Sequence, residues 1–189
     1  MSIRGWTGIA IVIVFVGGLA YLGFSLVNHG FSARETPSRL EEFLARQARK
    51  IATPANAREL ENPSSLTPET LNAVYEHWSE HCALCHSLNG DGNSVIGKNL
   101  YPKTPDMKSA EVQGLSDGEL FYIITNGVRF TGMPAWGDED SPEEIWQLVS
   151  FLRKLPSLTP AEFELMKQRA EAKPSAVDET KPHTHTRPH

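Results

Sequence analysis

Residues 80–86 read EHCALCH: Cys82, Cys85 and His86 stand in one short run, and these are the only two cysteines in a chain of 189 residues. They are too close together to staple a fold, so stability has to come from a hydrophobic core or from a bound group. Three readings of C-x-x-C compete: a thioredoxin-like redox pair, half of a zinc site, and the covalent anchor of a c-type haem. A redox pair belongs in a βαβ setting, and no strand pattern occurs along this chain. A structural zinc site takes four Cys or His ligands, and there is no second pair. Only the haem reading uses the histidine. Two thiols at this spacing on a helical turn can add to the two vinyl groups of one haem c, while His86 reaches its iron from the proximal side.

An iron so held needs a sixth ligand or an open position, and a thioether there raises the reduction potential. Of the four methionines, Met1 starts the chain, Met107 falls in a long loop and Met166 in a terminal helix. Met133 lies in Thr131-Gly132-Met133-Pro134-Ala135-Trp136, where flanking Gly and Pro restrain the backbone as a fixed iron–sulfur bond requires. Met133 is the expected axial partner of His86. Arg129 and Trp136, beside it, are candidate donors to a haem propionate.

Helix signals surround the motif. Thr67-Pro68 is an N-cap followed by a first-turn proline, and the helix runs through LNAVYEHWSE into the cysteine pair. Residues 87–115 are rich in Gly, Pro, Asn and Asp and read as a long loop of the kind that serves a site. Ser116-x-x-Glu119 is a capping box for a helix ending near Gly127, and a further helix starts after Ser141-Pro142 and stops at Pro156. A short one follows Thr159.

Toward the amino terminus, residues 6–27 are uncharged; as a helix at about 1.5 Å per residue they span the roughly 30 Å core of a bilayer. The competing reading is a signal peptide cut near Gly18-Leu19-Ala20, but the apolar run continues past that site. Trp6 and Tyr21 are candidate interfacial anchors. Residues 29–66 are polar, with Leu40, Phe43, Leu44 and Ile51 at helical spacing behind a Ser38-x-x-Glu41 box, which predicts one amphipathic helix in a linker. The organisation expected is an anchor over 1–28, a linker over 29–66, the haem domain over 67–156, a short helix over 157–172, and an unstructured tail over 173–189 with His183, His185 and His189.

With 18 basic and 23 acidic residues and a net charge of −5, the chain lacks the attraction on which nucleic-acid binding rests. Glu76, Glu80, Asp138, Glu139, Asp140, Glu143 and Glu144 read as solvated acidic patches, and His77 and His81 as solvated polar residues.

Helix, CALCH, a loop with LYP, LSDGELFYIITNG, GMPAW and IWQLVSFLRKL in that order resemble the class I c-type cytochromes, in particular the bacterial membrane-anchored monohaem cytochromes c, over about residues 67–156. The resemblance implies an all-α domain around one covalent haem, preceded by a single transmembrane helix, with Trp78, Trp146 and Phe151 where the first and last helices cross or against the haem edge. It implies that a proline carbonyl, Pro102 first and Pro105 second, accepts a hydrogen bond from the His86 ring. It places the haem domain on the periplasmic or outer side of the inner membrane, with the amino terminus in the cytoplasm. Two departures stand out: Val74 where a glycine is common eight residues before the first cysteine, and Ser87 where glycine often follows the motif. The function implied is single-electron transfer, without a small-molecule substrate, between partners such as a quinol-oxidising complex and a terminal oxidase. Alternatives are a fixed subunit of a membrane oxidoreductase, or a sensor or peroxidase in which Met133 dissociates.

Overall fold

The capping signals fix where the helices begin. In this computed structural model, which describes residues 3–29 and 32–172, Thr67 accepts from the Thr70 N–H and Thr70 returns the bond, opening α4 (Pro68–His77). The same reciprocal box opens α7 (Asp117–Asn126) at Ser116/Glu119 and α8 (Pro142–Lys154) at Ser141/Glu144. The remaining helices are α1 (Ile3–His29), α2 (Arg39–Ala52), α3 (Ala55–Arg58), α5 (Ala83–His86), α6 (Ala110–Gln113) and α9 (Pro160–Ala172). The described residues contain no strand, and the fold is all-α. The chain divides into two units, Met1–Glu35 and Thr36–His189. In the first, α1 holds a 20-residue apolar stretch, Trp6–Ser25, long enough to cross a membrane. The tail from 173, with its three histidines, lies outside the described residues.

The second unit is built on aromatic edges. Tyr75 and Trp78 meet Phe151 of α8 edge to face, with ring centroids 5.4 and 5.3 Å apart, and all three are buried. This is the helix pair expected to cross. Trp146 turns instead to α7, where it stacks on Phe121 at 4.2 Å. Val74 is buried and Ala73 exposed, so α4 enters the core over the valine itself. Met166 of α9 is wholly buried, which makes the carboxy-terminal helix part of this core.

Residues 53–66, linker by their composition, are laid against the domain. The Asn62 amide donates to the Trp146 carbonyl at 3.1 Å and to Ser150 Oγ at 2.9 Å, and the Ser116 hydroxyl donates to the Arg58 carbonyl at 3.0 Å. The amphipathic helix stops at Ala52, ahead of Thr53-Pro54, because a proline in its next turn would lack the N–H that the helix ladder needs. Of the box expected at Ser38, the half in which Ser38 accepts from Glu41 N–H forms at 3.2 Å.

Arg153 ties three helices. Its guanidinium donates to Asp117 Oδ1 and to the Gln113 carbonyl, both at 2.8 Å, and also to the Leu115 carbonyl. One planar group thus satisfies the carboxyl end of α6 and the first turn of α7 from the last turn of α8. Arg153→Ala should destabilise the unit by roughly 2 kcal/mol, since charge-assisted bonds to half-buried carbonyls are lost. Arg153→Lys should recover only part of this, because an ammonium cannot reproduce the fork. Thermal denaturation of the three proteins checks the order; equal melting temperatures would contradict it.

Candidate haem site

The motif sits where one helical segment ends and the long loop closes over it. Between α4 and α5 the chain makes a single π turn, Trp78–Cys82, in which the Ala83 N–H reaches back to the Trp78 carbonyl. Such a turn inserts one residue into a helix and rotates the residues beyond it. The carbonyls left free at the end of α5 are taken up by the loop. The Ser94 hydroxyl donates to the Leu84 carbonyl at 2.6 Å and to that of Cys85 at 3.0 Å, and the Gly92 N–H donates to that of His86 at 3.0 Å. Ser87 turns the chain with φ +63°, a left-handed value favoured by glycine, in keeping with its place where glycine often follows the motif. The Trp78 indole N–H donates to the Leu88 carbonyl at 3.2 Å, and its ring lies 5.9 Å from that of His86.

A β carbon at Gly97 would stand 2.1 Å from the Cys85 carbonyl oxygen, so only glycine lets the loop pass here. Further along the loop, Leu100 packs on Gly132, one residue before Met133. The segment 127–137 is pinned to α7: Trp136 N–H donates to the Ile124 carbonyl at 3.2 Å and Gly137 N–H to that of Thr125 at 3.0 Å. Inside it, Met133 N–H donates to Thr131 Oγ1 at 3.1 Å and the Met133 carbonyl accepts from Val128 N–H at 3.2 Å. Met133 is half-buried against the core.

Cys82 and Cys85 are free thiols. Burial pushes the Cys82 thiol up to about 12, with the nearby Asp140 and Cys85 adding to the shift. Burial holds His86 down at about 4, so near neutral pH its ring is uncharged, the state that metal ligation requires. Its Nδ1 is buried and makes no hydrogen bond, so the bond expected from it to Pro102, or to Pro105, is not formed. Pro102 follows a cis bond from Tyr101, whose hydroxyl donates to Glu41 Oε1 at 2.6 Å.

Trp136 turns toward α4 and its π turn, 5.5 Å from the His81 ring and 6.4 Å from that of His77. His77 Nε2 lies 3.2 Å from Asp140 Oδ2, and the Asp140 side chain is only 8% exposed. These are corrections to the reading of His77 and Asp140 as solvated groups, while His81 is exposed as expected. The Asp140 N–H donates to the Trp136 carbonyl at 2.8 Å, folding a local turn that carries the carboxylate inward. Arg129 is exposed.

The residues fit a covalent haem. Two free thiols lie a helical turn apart, and a neutral imidazole with an unpaired buried nitrogen comes directly after them. Leu84, Val95 and Ile96 expose apolar side chains beside them, a surface a flat apolar macrocycle can cover. Residues 61–152 match the family described as cytochrome c oxidase, cbb3-type, subunit III. Over 81 residues, 42% of this chain, it is 36% identical to the cbb3-type cytochrome c oxidase subunit FixP of Azorhizobium caulinodans. Over residues 61–152 these matches support a class I c-type cytochrome domain. It spans about a quarter of the length of that curated relative. A chain of the Kuenenia stuttgartiensis reducing HAO-like protein complex Kustc0457/Kustc0458 is similar at 23% identity and a TM-score of 0.44, over 51% of this chain and 49% of that one. Cytochromes of this type carry their haem covalently.

The loop 127–137 of the cytochrome depends on Gly127. Its φ is +65°, and a β carbon would stand 2.6 Å from the Pro134 carbonyl carbon. Gly127→Val should cost about 1–3 kcal/mol of stability. Gly132→Ala should cost less, because its β carbon meets only the Leu100 side chain, at 2.8 Å. Melting curves of the two variants decide this, and the reverse order would contradict it.

Proposed function

We propose that the chain carries one haem c, held by thioethers from Cys82 and Cys85 with His86 and Met133 as axial ligands, and acts as a membrane-anchored conduit for single electrons. When bound, the haem supplies one-electron oxidation and reduction at its iron. The protein's part is to hold the ligands and exclude competitors. Burial keeps His86 neutral and therefore a donor near neutral pH. The bonds from Met133 to Thr131 and Val128 fix the thioether's backbone, and a thioether ligand raises the reduction potential. With His86 and Met133 both committed to the iron, no coordination site would be left for a substrate. Trp136, packed on His81, lines the same region.

The observation that carries this reading is the donor set itself: two free thiols and an uncharged, buried imidazole in one helical turn, with a separately braced methionine loop. The haem domain stands on the periplasmic or outer face, with α1 crossing the inner membrane and the amino terminus in the cytoplasm.

A second reading concerns its setting. The matched family and FixP are both described as parts of a cbb3-type oxidase, which favours a place as a fixed subunit over free travel between a quinol-oxidising complex and a terminal oxidase. The structure leans the same way, because residues 36–66 join the domain and leave a shorter tether than the sequence promised. Purification in fixed ratio with an oxidase would support the subunit reading.

The ligand set is tested by optical spectroscopy of the full-length holoprotein. The oxidised protein should show the weak near-infrared charge-transfer band of a methionine–iron bond, and the reduced protein should ignore carbon monoxide. Met133→Ala should abolish the band, lower the reduction potential and open the iron to carbon monoxide. An unchanged band in that variant would overturn the assignment. Carbon monoxide binding by the unaltered reduced protein would favour sensing or catalysis.

A further inference from the structure

An amphipathic helix on a globular domain turns its apolar stripe toward the core. α2 does the opposite. Its attachment to the domain is polar: Arg46 Nε and Arg49 Nη2 lie 3.1 and 3.7 Å from Glu111 Oε1, Tyr101 donates to Glu41, and Arg58 donates to the Lys50 carbonyl at 2.8 Å. At 3.6 residues per turn, Arg49 and Arg46 fall on the side away from Leu40, Leu44 and Ile51, and Glu41 falls on the flank. The stripe of Leu40, Phe43, Leu44 and Ile51, with Gln47 between them, is 67, 56, 55 and 81% exposed at its four large side chains. No residue of α2 is buried.

We propose that this face lies in the interfacial layer of the bilayer that α1 enters, so that the haem domain is held to the membrane at two places. Chain length argues for it. Nine residues, 30–38, separate the end of α1 at His29 from the start of α2 at Arg39, and at about 3.3–3.6 Å per residue step the link reaches at most about 36 Å. Charge argues for it as well. Arg39, Arg46, Arg49 and Lys50 against Glu41 and Glu42 give α2 a net charge of +2 in a chain of −5. Arg39 and Lys50 border the stripe, where long stems can lie along apolar surface while their heads meet anionic lipid phosphates. A helix bound in this way keeps the domain at the membrane surface and limits electron exchange to partners found there.

The test uses the full-length holoprotein in vesicles of phosphatidylcholine containing one part in about three of phosphatidylglycerol, a composition that gives the anionic surface the helix would recognise. Leu44→Cys and Ile51→Cys on the stripe, and Ala45→Cys and Ala52→Cys off it, are each spin-labelled. Wild-type protein that takes no label shows that Cys82 and Cys85 are consumed, and an unchanged haem spectrum shows that each variant is folded. Labels at 44 and 51 should be reached by oxygen and shielded from a nickel chelate, and labels at 45 and 52 should be open to the chelate. Equal access of the chelate to all four positions would overturn the proposal. So would exclusion of both reagents from 44 and 51 in these vesicles, which assigns the face to a second copy. Shielding seen only in native membranes would assign it to another protein and equally overturn it. Membrane contact by α2 requires only that α1 enters the bilayer, so it survives a different axial ligand.

Discussion

The site hangs on one close passage of backbone. The long loop crosses the end of the haem motif at Gly97 so tightly that a β carbon would stand 2.1 Å from the Cys85 carbonyl oxygen. From that crossing the loop can place Ser94 and Gly92 on the carbonyls that close α5, groups that have no partner within the helix itself. It also carries Leu100 onto the residue before Met133. One passage therefore couples the proximal side, Cys85 and His86, to the segment that bears the other candidate ligand.

The helices that frame this arrangement are legible in the sequence because their signals are local. Thr67, Ser116 and Ser141 are each followed within three residues by the partner that returns the capping bond, and each starts its helix where expected. The motif is legible because covalent haem chemistry demands a fixed order of residue types. The hidden features depend on parts of the chain far from one another. Asn62 finds Ser150 across 88 positions, so nothing near it marks residues 53–66 as part of the domain. His77 meets Asp140 only after α8 has been laid on α4, and neither carries a local sign that it leaves solvent. Trp146 prefers Phe121 to the helix crossing, a choice made by packing and not by periodicity.

The electrostatics follow from burial more than from charge pairs. Low solvent access favours a neutral His86 and a protonated Cys82, which suits a metal ligand and a thiol open to covalent addition. Residues 36–66 fall in the same unit as the haem motif, and α2 is attached there through polar groups with its apolar side outward.

The central claim is that Cys82 and Cys85 together hold one haem. Peptide mass mapping of the purified holoprotein tests it directly, with thiol alkylation before digestion. The account predicts one haem mass on the single peptide carrying both cysteines, no alkylated thiol, and no haem elsewhere. Alkylation of both cysteines, or a disulfide between them in a protein that lacks covalent haem, would contradict it.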